Sequence, residues 1–183
     1  MINQVSTCQT CHVGATAFTS IAATGDWNGN GVIETAYNEI GVPTTIPASR
    51  GHATNAYGTG VGGTGLLGLL NEALWDANIE YDPATYPYYF KAGLAHSTAN
   101  AFKAWTPNTL AAAQNLQQLV KTGVALGVGA LYVHNPQYTA QILVDSLAAT
   151  GHVAGTVTTF TRPAMPTGGT SHAGRDYRTL NVP

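Results

Sequence analysis

The stretch HNPQYTAQILVDSLAATG, residues 134–151, has the clearest helix punctuation in the chain, and its reading sets the fold class. Asn135 offers a side-chain oxygen to the unbonded N–H groups of a first turn. Pro136 suits the first helical position, where no amide proton is needed. Gly151 closes the segment, because glycine accepts the left-handed conformation that ends a helix. In between, Ala140, Leu143, Val144 and Leu147 recur at spacings of three and four and share one face. An apolar stripe of this kind has to be buried against other elements.

Working upstream, TPNTLAAAQNLQQLVKTG (106–123) repeats the pattern. Thr106 caps, Pro107 opens, Lys121 and Gly123 close, and Leu116, Leu119 and Val120 form the buried edge. LLGLLNEALWDAN (66–78) is a third helix, with Leu66, Leu69, Leu70, Ala73 and Leu74 as its stripe. HSTANAFKAW (96–105) reads as a short helix. The aromatic, proline-punctuated IEYDPATYPYYFKAG (79–93) reads as irregular coil over the core, its rings packed as core in preference to lining a cofactor. GVPTTIPASRGHATNAYGTGVGGTG (41–65) is a long loop, and VAGTVTTF (153–160) is the one candidate strand. The expected fold is mainly α with extensive irregular coil and little or no β-sheet. It forms one domain over 1–183: an N-terminal segment 6–40, the loop 41–65, a helical core 66–151 and an extended tail 152–183.

Composition narrows the function classes. At 183 residues with 44% hydrophobic content, the chain is long enough to bury a core. It contains no run of eighteen apolar residues, so no transmembrane segment is expected. Only 9% of residues are charged and the net charge is −2, which gives no basic field for nucleic acid. A surface so weakly charged repels its own copies poorly, which suits a subunit that packs against others as well as it suits a neutral secreted protein.

The chemistry begins at CQTCH (8–12), which holds both cysteines of the chain. A zinc site would need two further ligands at short spacing, and a redox dithiol would be expected beside a βαβ unit; neither is legible. The histidine directly after Cys11 points instead to covalent attachment of one c-type haem. Cys8 and Cys11 form the thioether bonds and His12 takes the proximal axial position. STCQTCHVGATAFTSIAA (6–23) is expected to be a helix capped by Ser6 or Thr7, which would turn Cys8, Cys11 and His12 to one side.

GDWNGNGVIETAYNEI (25–40) follows. Asp26, Asn28, Asn30 and Gly31 match the opening of an oxygen-ligand calcium loop, with Val32 at the backbone-carbonyl position. The twelfth position is Tyr37, not the usual bidentate glutamate, so Glu34 and Glu39 are the candidates to complete the shell. An Asn-Gly-rich surface turn would look much the same.

The second face of the iron has several candidates. His134 is the most constrained, since it directly precedes the Asn135-Pro136 helix start. Met165, in AMP, is the alternative. His152 suits a helix C-terminus, and His52, His96 and His172 have no local geometric argument. In order, CQTCH, GDWNGNGVIETAYNEI, GLLNEAL, TPNTLAAAQNLQQL and HNPQYTAQILVDSL make the chain resemble the C-terminal part of extracellular multihaem c-type cytochromes. The resemblance spans most of residues 6–150. It implies electron transfer to outside acceptors or redox partner proteins, a distal ligand at His134, calcium at the Asp26 loop, and a chain processed for an extracellular or periplasmic location. MINQVST shows no signal peptide. Those relatives carry several CxxCH motifs and this chain carries one, so any wire would depend on neighbouring subunits in a homo-oligomer or filament. His52 would then be a candidate ligand to the haem of the next copy.

Electron transfer by a haem with two axial protein ligands is the leading expectation, and it needs no catalytic residue. No GxSxG, HExxH or phosphate loop is present. The alternatives are a haem enzyme of peroxidase or nitrite reductase type, with Arg50, His52 or Arg175 over an open iron face, and a structural filament subunit in which haem is secondary.

Overall fold

The computed structural model describes residues 5–7, 9–10, 12–29, 31–41, 65–125, 133 and 135–151. Among these the chain is mainly helical, with a single two-stranded sheet. Four α-helices appear: α1 (Ala36–Ile40), α2 (Leu66–Asp76), α3 (Pro107–Ala125) and α4 (Pro136–Thr150). The strands are β1 (Ile79–Tyr81) and β2 (Tyr89–Lys91).

Helices α2, α3 and α4 pack on one another and form the centre of the molecule. Their apolar stripes follow the periodicity. Leu66, Leu69, Leu70, Ala73 and Leu74 of α2, Leu116, Leu119 and Val120 of α3, and Ala140, Leu143, Val144 and Leu147 of α4 are all buried. Ala112 and Ala113 of α3 are buried with them. Asn115 Nδ2 donates to Ser146 Oγ at 2.9 Å, and Ser146 Oγ donates to the Ile142 carbonyl, so the α3–α4 seam keeps its polar atoms satisfied. Helix α4 has the expected ends: Asn135 accepts from the Tyr138 amide, Pro136 is first, and Gly151 stops it at φ 68°.

Four local expectations are corrected. Residues 79–93 form an antiparallel hairpin, with Ile79 opposite Lys91, Glu80 opposite Phe90 and Tyr81 opposite Tyr89. Pro83 and Pro87 lie in the connection, where they cost the ladder nothing, and the flanking aromatic and β-branched residues are strand formers. Three of its five rings are core, as expected: Tyr81, Tyr89 and Phe90 are buried, whereas Tyr88 is only partly buried and Tyr86 is 73% exposed. The N-terminal segment is not a helix where it is described. It has short 3₁₀ turns at Val5–Thr7 and Phe18–Ser20, separated by bends. Gly14 sits at φ 87°, and Ser20 Oγ accepts from the Thr16 and Ala17 amides while donating to the Ala17 carbonyl. Such side-chain bonds give the backbone partners that a helix would otherwise supply. Helix α3 runs through Gly123 to Ala125, since a lone glycine costs a helix only about 1 kcal/mol.

The 96–105 stretch holds only a 3₁₀ turn, Thr98–Asn100. Helix α1 was not legible because it has five residues; Thr35 starts it by accepting from the Asn38 amide at 3.2 Å. No helix among the described residues is long and apolar enough to cross a membrane. The candidate strand 153–160, the tail 152–183 and all but the ends of the loop 41–65 lie outside the described residues.

Candidate functional site

The best-defined part of the predicted site is the loop that runs from Gly25 into α1. Its first turn closes through Asp26 Oδ2, which accepts from the Gly31 amide at 2.8 Å, with Gly31 at φ 90°. A carboxylate at the first position bonded to the amide of a left-handed glycine at the sixth is the turn that calcium loops require. A Cβ at Gly31 would meet nothing within 4 Å, so backbone conformation, not crowding, selects glycine there.

Behind the loop lies Glu39, fully buried at the end of α1. Its Oε2 accepts from the amides of Trp27 and Asn28, each at 3.0 Å, and its Oε1 accepts from the Glu34 amide at 2.9 Å. One carboxylate thus pins both limbs of the loop. Burial pushes its pKa up, the three amides pull it down and the nearby Asp26 charge pushes it up again; the net direction is upward. Trp27, buried under the loop, anchors it to the core. Asn28 is buried too, and its Nδ2 lies 3.4 Å from Glu34 Oε2. Asp26, Asn28, Val32, Glu34 and Glu39 are therefore gathered in one loop, with Glu39 engaged in holding its backbone. Asn30 lies outside the described residues. No group of three or more His, Cys, Asp or Glu side chains among the described residues is arranged to hold a metal ion, so any cation here depends on amide and carbonyl oxygens as much as on carboxylates.

Of the CQTCH stretch, His12, Gln9 and Thr10 are described and Cys8 and Cys11 are not. His12 is exposed in a bend whose turn closes by the Ala15 amide donating to the His12 carbonyl at 3.0 Å. Its ring makes no hydrogen bond among the described residues. Next to it Val13 is 92% exposed, and a Cβ on Gly14 would touch nothing. His134, Met165 and His52, the candidate second ligands, lie outside the described residues. Helix α4 is nevertheless fastened to the N-terminal segment at its first turn, where Gln137 Nε2 donates to Thr24 Oγ1 at 3.2 Å.

One cluster escaped the sequence reading. His96 Nδ1 lies 2.7 Å from Asp82 Oδ2, and its Nε2 comes within 3.1 Å of Glu80 Oε1 without the alignment of a hydrogen bond. Its ring stacks on Phe90 at 4.6 Å. Glu80 is buried and spends its Oε2 on the Gly93 amide at 3.0 Å. Burial raises the Asp82 pKa, but hydrogen bonds from the Thr85 hydroxyl, the Ala84 amide and His96, with the His96 charge, outweigh it and hold the carboxyl below its ordinary value. The available signal was the i, i+2 spacing of Glu80 and Asp82, which points both to one face of a strand.

Searches against protein-family models, curated proteins and solved structures give no match to this chain. The functional reading therefore stands on the residues themselves.

Proposed function

We propose that the chain is a c-type cytochrome that carries one covalent haem and transfers single electrons. The observation that carries this reading is CQTCH, the chain's only cysteines followed by a histidine, with the His12 ring exposed and uncommitted. Cys8 and Cys11 would hold the porphyrin and His12 one axial position; the haem, when bound, supplies the one-electron chemistry. The chain's own contribution is ligation, burial and exclusion of exogenous ligands.

His134 is the proposed second ligand. The Gln137–Thr24 contact supports it, because it ties the start of α4 to the segment that bears His12. Met165 is the alternative, and His52 the candidate for serving a neighbouring copy. Calcium in the Asp26 loop would be held by Asp26, Asn28, Asn30, the Val32 carbonyl and Glu34, with Glu39 fixing the frame. The likeness to extracellular multihaem cytochromes extends the proposal to a cytochrome-like fold, a location outside the cytoplasm, an external acceptor or redox protein as partner, and assembly with further copies.

The test is the visible spectrum of the purified chain with and without carbon monoxide. A low-spin spectrum indifferent to carbon monoxide is expected, becoming ligand-accessible in His134→Ala. A high-spin ferric spectrum with ready cyanide binding in the unaltered protein would instead indicate an open iron face.

A further inference from the structure

The three basic residues among those described are Lys91, Lys103 and Lys121. Lys121 sits over the Tyr88 ring, 4.9 Å from its centroid. The other two flank one cleft of about 230 Å³, which Asn78, Ala99, Ala101 and Phe102 also line. Neither Lys91 nor Lys103 makes an ion pair among the described residues. In a chain with 9% charged residues, two lysines lining one small cleft, neither of them ion-paired among the described residues, are a local concentration of positive charge.

The backbone builds this juxtaposition. Lys91 ends β2, and the 99–104 segment is fastened along that strand by a bridge between Phe90 and Ala101 and by the Phe102 amide donating to the Tyr89 carbonyl at 3.0 Å. Asn78, at φ 64°, turns the chain out of α2 and accepts from the Ala92 amide at 3.3 Å. The aromatic wall is held from behind. Phe102 meets Trp105 edge-on at 4.8 Å, Trp105 meets Tyr89 edge-on at 5.3 Å, and the Tyr89 hydroxyl donates to the Ala113 carbonyl of α3 at 2.6 Å. The cleft is thus lined by a positioned aromatic ring and alanine methyls together with two lysines.

We infer that this cleft binds a small aromatic carboxylate. An ammonium donates to a carboxylate more strongly than to any neutral acceptor, and a single ring can pack on Phe102 and the alanine methyls. The volume is below the roughly 300–1,000 Å³ of sites for drug-sized ligands, which limits the occupant to about one ring. The inference is independent of the haem reading, since the cleft is formed by the hairpin and the segment after it.

The test is a backbone-amide NMR titration of the full chain with benzoate at low ionic strength, with benzamide as the uncharged control. Saturable shifts at Ala99, Ala101 and Lys103 with a Kd at or below about 1 mM are expected. Lys91→Gln and Lys103→Gln should each weaken binding by roughly fivefold, the effect of losing one exposed charge partner, and salt should weaken it too. Both lysines are exposed, so the variants should fold. Non-saturating shifts, equal binding of benzamide, or unchanged affinity in the doubly substituted protein would overturn the assignment.

Discussion

Glu80 is buried and spends one carboxylate oxygen on the Gly93 amide, leaving the other to face His96. Removing the imidazole leaves a buried acid without its neighbour, so His96→Ala should cost about 2–3 kcal/mol in urea unfolding at neutral pH. Asp82 allows a pH test with a definite sign. Its folded pKa is depressed, so its contribution is fully present above its unfolded value and is lost as pH falls through the folded one. Between about pH 5 and pH 3 the unaltered protein should therefore lose stability more steeply than Asp82→Asn. Parallel curves for the two proteins would contradict the role given to Asp82. Glu39 is a different case, an acid whose two oxygens serve three backbone amides. Its place in the sequence suggested a metal ligand; its role as the staple of the loop depends on α1 bringing it to the amides of Trp27, Asn28 and Glu34, which spacing alone does not reveal.

At the scale of elements, three helix ends were legible where local side chains or a glycine determine them, whereas the stop placed at Lys121 and Gly123 was not, since α3 continues to Ala125. Thr106-Pro107, Asn135-Pro136 and Gly151 each act through local bonds or dihedrals, and all three stand where the sequence placed them. The hairpin was not legible because its strands are three residues each, too short to show alternation, and because prolines in the connection masked it. A second hidden feature is the approach of α2 to the end of α1. A Cβ on Gly65 would lie 2.5 Å from Gly41 Cα and 2.7 Å from Gly41 N, with backbone on the far side that cannot rotate away. Gly65→Ala should thus destabilise by about 2 kcal/mol, read as a lowered urea midpoint with unchanged slope. Leu143→Ala, in the fully buried stripe of α4, should cost about 2–5 kcal/mol, whereas Leu110→Ala, at a site 42% exposed, should change stability by no more than about 0.5 kcal/mol.

For the whole molecule, the stripes of α2, α3 and α4 specified the helical core, and the low charge content left its surface chemistry open. The Asp26 loop is joined to the core through Trp27 and to α1 through Glu39, so a cation held there would act on the whole fold. If the loop binds calcium, the ion at about a hundredfold excess over its Kd should stabilise the entire fold by about 2.7 kcal/mol. The shift should appear in thermal unfolding with calcium against chelator, and should vanish in Asp26→Asn; identical melting with and without the ion would remove calcium from the account. The central proposal is covalent haem at CQTCH, whose Cys8 and Cys11 lie outside the described residues. Its most direct measurement is the denatured mass of the purified protein combined with its pyridine haemochrome spectrum. The account predicts polypeptide plus one haem, with a haemochrome of the thioether-linked type, both lost in Cys8→Ala/Cys11→Ala. A colourless protein with the mass of the bare polypeptide, produced where haem attachment is available, would contradict it.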